Sequence, residues 1–125
     1  SCFSAGGDLD EFGEATDAGL AHVSRVARSA GNLMASVHDR IEVHVHGACI
    51  GAGIELPAFA HRVLARRDAF FQLPEVSMGL VPGAGGTASI LPRIGRHRMA
   101  AWALTGARID AETAMSWGLV DELAD

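Results

Sequence analysis

Two glutamates stand twenty residues apart, each in a glycine-rich stretch: Gly51-Ala52-Gly53-Ile54-Glu55-Leu56, and Pro74-Glu75 leading into Gly79-Leu80-Val81-Pro82-Gly83-Ala84-Gly85-Gly86-Thr87. Glycine lets a backbone approach a ligand closely and leaves N–H groups uncovered. A carboxyl in otherwise apolar sequence is desolvated, which raises its pKa into the range useful for proton transfer. The chemistry expected is acid–base catalysis beside an anion-stabilising turn. In the first stretch, a helix starting inside Gly and Ala presents free N–H groups suited to an oxyanion, with Glu55 one turn further on. In the second, Pro74 fixes the chain before Glu75, and 82–87 opens a helix whose start can face the same charge, with Thr87 as a capping hydroxyl. A tight strand-to-helix turn with an exposed Glu55 is the plainer alternative for the first stretch. A phosphate cradle is the alternative for the second, disfavoured because no Lys follows the glycines and no GxGxxG follows a strand.

These groups need elements to position them. Asp8 with Glu11 three residues on has the pattern of a capping box opening a short helix, and the residues before it read as a turn. From Asp17, the apolar positions Leu20, Val23, Ala27, Ala30, Met34 and Val37 recur at three- and four-residue steps, predicting one amphipathic helix that covers a sheet. Ile41, Val43 and Val45 alternate with Glu42, His44 and His46 up to Gly47, a strand with one apolar face. A helix is expected over 51–60, although Pro57 lacks the N–H for the fourth-residue bond, so the helix starts late or kinks there. Short strands are expected over 62–65 and 69–73. Helices are expected over 85–91, 96–104 and 110–117, ended by Pro92, Gly106 and Gly118. Strand, helix, strand, then mostly helix predicts a layered α/β fold with crossover connections.

With 125 residues, 49% hydrophobic and 20% charged, the sequence supports a single domain over 1–125 with its own core. A net charge of −5, spread along the chain, gives no footprint for nucleic acid or an anionic membrane surface. All ten basic residues are Arg, which excludes a phosphate-binding or Schiff-base lysine from this stretch. Cys2 and Cys49 lack zinc or disulfide spacing, so a reducing, cytoplasmic compartment is expected. No apolar run approaches the roughly 20 residues a membrane span needs. The sequence starts without Met inside a compact motif and stops at Asp125 without a terminal cap, and is expected to be a piece of something longer.

Four blocks taken in order resemble the crotonase (enoyl-CoA hydratase/isomerase) family. They are Ser4-Ala5-Gly6-Gly7-Asp8-Leu9, the run from Gly47 to Leu56, Pro74-Glu75 with 79–87, and Ala114-Met115-Ser116-Trp117-Gly118-Leu119-Val120-Asp121. The resemblance implies an α/β crotonase-like ββα spiral core, incomplete at both ends. The family's first strands and its C-terminal helices, which cover the acyl pocket and build trimers, fall outside these residues. A piece of this kind is expected to be weakly active or inactive alone, since open sheet edges favour aggregation.

By the same resemblance, the backbone N–H groups of Ala5 and Ala52 form an oxyanion hole for the thioester oxygen. Glu55 and Glu75 are the catalytic carboxyls, sharing one water and titrating as a coupled pair. Gly83 further polarises the thioester, and Phe3, Ser4, Ala5, Gly6, Gly7 and Asp8 form the coenzyme A loop. The implied activity is syn hydration of a trans-2-enoyl-CoA to a 3-hydroxyacyl-CoA in fatty-acid metabolism, with Glu55 as water base and Glu75 as acid at the α carbon. No metal and no cofactor is implied beyond the coenzyme A of the substrate, and the assembly implied is a trimer or a dimer of trimers. An enoyl-CoA isomerase relying on one glutamate and a non-catalytic CoA-ester-binding module are the alternatives. Departures from the family pattern are the polar residues Glu42, His44 and His46 in the strand before Gly47, and Pro57.

Other candidate residues have plainer readings. His44 and His46 lack a third ligand at a recognisable spacing and are expected to be solvated or hydrogen-bonded. Arg93, Arg96, His97 and Arg98 read as a solvated helix start. Trp102 and Trp117 fit core packing or an oligomer contact, and Cys49 fits packing.

Overall fold

Alternation of valines with polar residues builds a strand at the edge of one sheet, and a glycine then turns the chain into the other sheet. The computed structural model describes residues 1–11, 13 and 15–125, without the side chain of Glu11. Among the described residues seven strands form two sheets. β1 (Cys2–Ser4), β3 (Ala48–Ile50), β5 (Phe70–Gln72) and β6 (Ile109–Asp110) lie in that order in one; β2 (Glu42–Val45), β4 (Arg62–Arg66) and β7 (Glu122–Ala124) lie in that order in the other. All pairings are parallel except β5 with β6. The consecutive strands β2 and β3 belong to different sheets, and so do β4 and β5. The step between β2 and β3 is made at Gly47, whose φ of +56 suits glycine and whose missing Cβ leaves room for the Ser1 carbonyl. The pairs β2–β3 and β4–β5 each add one strand to each sheet before a helical segment follows, the spiral that the family resemblance implies, while α7 stands between β6 and β7.

Helices α1 (Ala18–Ala27), α2 (Ala30–Ser36), α3 (Ala52–Glu55), α4 (Gly86–Ser89), α5 (Leu91–Ile94), α6 (Arg96–Thr105) and α7 (Ala111–Trp117) complete the described elements, with 3-10 turns at Leu9–Glu11, His38–Arg40, Pro57–Phe59 and Glu75–Met78. The core lies between the sheets and α4 to α7, with Val45, Ile54, Val63, Phe71, Leu73, Ile90, Trp102 and Leu119 almost fully buried. Burying such side chains contributes roughly 1.5–3 kcal/mol each.

The single amphipathic helix expected from Asp17 is two helices. Arg28 leaves helical geometry at φ −112, ψ 22, and the Ser29 hydroxyl then accepts the Asn32 N–H to start α2. The face expected to cover a sheet is left open on the first of them. α1 buries no residue, and Leu20, Val23 and Val26 stay open to solvent. α2 docks through Gly31 onto Phe59 and Ala84. The expected 51–60 helix is also divided: α3 ends before Pro57, which opens a 3-10 turn instead of continuing the helix. Pro92 likewise does not end a helix but sits in the first turn of α5, where the missing N–H costs nothing. Gly106 and Gly118 close α6 and α7 in the left-handed conformation, as the sequence predicts, and Asp110 caps α7 through the Thr113 N–H. Asp8 accepts from the Asp10 N–H at 3.0 Å at the start of the first 3-10 turn. The Glu11 arm of the capping box lies outside the described residues.

Candidate functional site

The two glycine-rich stretches meet because β3 and β5 are neighbours. Cys49 pairs with Phe71 and Ile50 with Gln72, so the segments following both strands emerge at the same end of the sheet. Gly51, at φ +52, donates its N–H to the Gln72 carbonyl at 2.9 Å and turns the chain into α3. Its carbonyl accepts from Ile54 and Glu55, while the Ala52 N–H has no acceptor among the described residues. β1 brings the loop after Ser4 to the same place. A Cβ on Gly6 would lie 2.9 Å from the Ile50 carbonyl oxygen and 3.8 Å from the Ala52 nitrogen, and one on Gly53 would lie 2.6 Å from the Ser4 carbonyl oxygen. These contacts admit hydrogen but not a methyl group. The loop at Ala5-Gly6 and the opening of α3 are therefore in direct apposition.

Glu55 is 2% exposed, not on the surface as the plainer reading of its stretch has it. Its Oε2 accepts the N–H of Ala84 at 2.9 Å and of Gly86 at 2.8 Å, and the buried Ser89 hydroxyl donates to its carbonyl oxygen at 2.6 Å. Burial pushes the Glu55 pKa up; the Gly86 N–H pulls it down, and the nearby Glu75 carboxyl raises it again by charge and by direct contact. Glu75 opens the 3-10 turn Glu75–Met78, is 8% exposed, and has a buried Oε2 with no hydrogen-bond partner among the described residues. The two acids thus converge, and they do so inside the protein.

The other expected site residues are less buried than the two acids. Gly83 is exposed in the turn ahead of α4, and the first amides of that segment, Ala84 and Gly86, are committed to Glu55. Thr87 is exposed within α4 and caps nothing; Gly85 holds the cap position. Phe3 and Ser4 line a cavity of about 270 Å³ together with Met34, Val43, Ala52, Gly53, Leu56 and Pro57. Ala5, Gly7 and Asp8 are exposed, and Gly6 is half-buried.

His44 bonds to Glu42 at 2.9 Å on the exposed face of β2, while the His46 Nδ1 meets the Ser1 hydroxyl at 2.8 Å beyond the end of that strand. The polar residues of β2 therefore occupy an uncovered face. Among the described residues no three His, Cys, Asp or Glu side chains gather to hold a metal, and no helix is long and apolar enough to cross a membrane. Cys49 is buried and its thiol is pushed up to about 12 by burial. The Trp102 Nε1 donates to the Ala107 carbonyl, and its ring packs edge-on to Trp117 at 6.3 Å, the packing role expected of both.

Arg96, His97 and Arg98 are exposed in the first turn of α6, the solvated helix start expected, but Arg93 departs from that reading. It reaches back under the Glu55 segment, donating to the carbonyls of Ala58, Ala60 and Leu119 and to the Asp121 carboxylate at 3.0 Å. Sequence reasoning also passed over Ser89, a small polar residue in an otherwise apolar helical turn. That polarity is the one local signal that could have marked it.

Residues 1–124 match the sequence pattern of a family described as enoyl-CoA hydratase/isomerase. Among solved structures, the enoyl-CoA hydratase of Thermoplasma volcanium GSS1 superposes with a TM-score of 0.88 at 32% identity, over 99% of this chain and 50% of its own. DspI of Pseudomonas aeruginosa gives 0.80 at 34%, over 98% and 47%. An enoyl-CoA hydratase of Shewanella pealeana gives 0.84 at 25%, over 99% and 48%. The chain spans about half the length of these relatives.

Proposed function

Because the chain belongs to the enoyl-CoA hydratase/isomerase family, we propose that the protein adds water syn across the double bond of a trans-2-enoyl-CoA, giving a 3-hydroxyacyl-CoA. The observation that carries this reading is the burial of Glu55 and Glu75 against one another beside the apposed Ala5-Gly6 loop and Ala52 amide.

In the proposed reaction, the thioester oxygen lies between the N–H groups of Ala5 and Ala52. Water attacks the β carbon, its proton passes to the Glu55 carboxylate, and the electrons of the double bond move through the α carbon onto the thioester oxygen. Two preorganised donors stabilise the charge that builds there, and losing one such donor costs about 10²- to 10³-fold. Glu75 then delivers a proton to the α carbon. Supporting these roles, Glu55 has one oxygen anchored by two backbone N–H groups, leaving Oε1 for the water. Gly83 polarises the thioester further, and residues Phe3 to Asp8 hold the coenzyme A. No metal or other cofactor takes part, and the working assembly is a homotrimer or a dimer of trimers in the cytoplasm.

A second reading, isomerisation of a 3-enoyl-CoA, draws on one observation: the Glu75 Oε2 is buried and unpartnered, as a single mobile proton carrier would be. Product analysis separates the two. Supplied with crotonyl-CoA, the protein is expected to remove the conjugated enoyl absorbance and release 3-hydroxybutyryl-CoA. Turnover of a 3-enoyl-CoA to the conjugated product, with crotonyl-CoA left unhydrated, would replace hydratase with isomerase. Binding of both thioesters with no turnover would reduce the protein to a binding module.

A further inference from the structure

Each acid rests on a glycine of the other acid's stretch. A Cβ on Gly51 would lie 2.8 Å from the Glu75 Oε1; a Cβ on Gly86 would lie 2.8 Å from the Glu55 Cγ, 2.9 Å from its Oε2 and 3.2 Å from its Cδ. Gly51 has a second reason to be glycine in its positive φ. Gly86 has none: it is the first residue of α4, where the backbone accepts alanine and helix formation favours it. What alanine would disturb at 86 is the carboxyl of Glu55.

The turn carrying Gly86 has no room to withdraw. Behind it, the position of a Cβ on Gly31 of α2 falls 2.9 Å from the Ala84 carbonyl oxygen, and one on Gly85 falls 2.7 Å from the Phe59 ring. In front, the turn is held to Glu55 by the Ala84 and Gly86 N–H groups and by the Ser89 hydroxyl. With α2 and Phe59 closing one side, an added methyl group is accommodated by displacing the Glu55 side chain.

We propose that Gly86 is a positioning residue for the reaction: its lack of a side chain lets the first turn of α4 close on one oxygen of Glu55 and so fixes where the other oxygen meets the attacking water. Ser89 serves the same closure from the backbone side of Glu55. The inference rests on the reading of Glu55 as the water base. It gives a function to the second glycine stretch distinct from thioester polarisation at Gly83.

The test is crotonyl-CoA hydration by the full protein and its Gly86→Ala variant across pH. Displacing a base by about 1 Å costs on the order of 10²-fold, so kcat is expected to fall by about that factor while KM stays within about twofold. The two N–H bonds favour the charged form of Glu55, so their loss moves the rising limb of the pH profile to higher pH. Parent-like kcat and an unmoved limb overturn the inference; a parent protein that hydrates nothing overturns the underlying reading instead. Ser89→Ala adds no atoms and carries the test should Gly86→Ala fail to fold. Loss of one hydrogen bond corresponds to about three- to tenfold in kcat at constant KM, and an unchanged kcat in Ser89→Ala overturns the proposal equally.

Discussion

Replacing Glu55 by alanine and by glutamine separates the anchoring of the carboxyl from its charge. Alanine strands two inward-facing N–H groups, those of Ala84 and Gly86, each costing about 1–3 kcal/mol when left unmet, and removes a buried methylene worth about 0.8 kcal/mol. Release of a desolvated carboxyl and of its repulsion with Glu75 offsets part of this. The net destabilisation of Glu55→Ala is about 3 kcal/mol. Glutamine keeps a carbonyl oxygen for both donors and carries no charge, so Glu55→Gln is expected within about 1 kcal/mol of the parent. The pH dependence fixes the sign. Because the folded-state pKa of Glu55 is raised above its ordinary 4.5, the folded protein holds that proton more tightly than the unfolded chain. The contribution is therefore fully present below the ordinary value and is lost as pH rises through the folded pKa. Glu55→Gln lacks this loss, so the parent falls behind it in that direction. Urea unfolding followed by circular dichroism at several pH values reads both effects. Equal stability of the alanine and glutamine variants, or a parent that gains on Glu55→Gln as pH rises, would refute the reasoning.

Three other perturbations follow from the same geometry. Arg93→Ala frees the carbonyls of Ala58, Ala60 and Leu119 and the Asp121 carboxylate and is expected to cost about 3 kcal/mol in urea unfolding; a change below about 1 kcal/mol contradicts the clamp. Gly53→Ala drives a methyl group against the Ser4 carbonyl, prising β1 from α3; the melting temperature is expected to drop by several degrees, about 4 °C per kcal/mol for a domain near this size, and an unchanged value argues against so close an approach. Thiol labelling read by mass spectrometry is expected to modify exposed Cys2 in the native protein and Cys49 only after unfolding, since the Cys49 thiol is buried with its pKa near 12; native double labelling contradicts that burial.

Much of the site is legible in the sequence because it is local. Gly51, Glu55, Pro74 and Glu75 are bound to strand ends by a few residues of turn, and glycine spacing marks where the backbone must pass closely. The strand over 69–73 is set by alternation, that over 62–65 by a short apolar run, Val63 to Ala65, that is buried throughout, and the helices closed by Gly106 and Gly118 by caps within a few residues. The errors arise where a distant neighbour decides. β1 and β3 are three residues each and have no pattern of their own; β1 becomes a strand by pairing with β3, and β3 by lying between β1 and β5. The split between α1 and α2 turns on a cap at Ser29 inside a periodicity that runs straight through it. Arg93 looks like one of several surface charges until the chain folds carbonyls from two other segments around it. The apolar stripe of α1 satisfies the helical pattern without being buried, since periodicity specifies a face but not its partner.

The measurement closest to the central claim is crotonyl-CoA hydration by the full protein, its Glu55→Gln and Glu75→Gln variants, and the double variant. General acid–base catalysis by a positioned carboxyl contributes about 10²- to 10⁴-fold. Each single variant is therefore expected to lose at least 10²-fold in kcat, and the double variant to lose far less than the product of the two, as expected of groups acting on one water. Two single variants that hydrate crotonyl-CoA at near-parent rates would contradict the account.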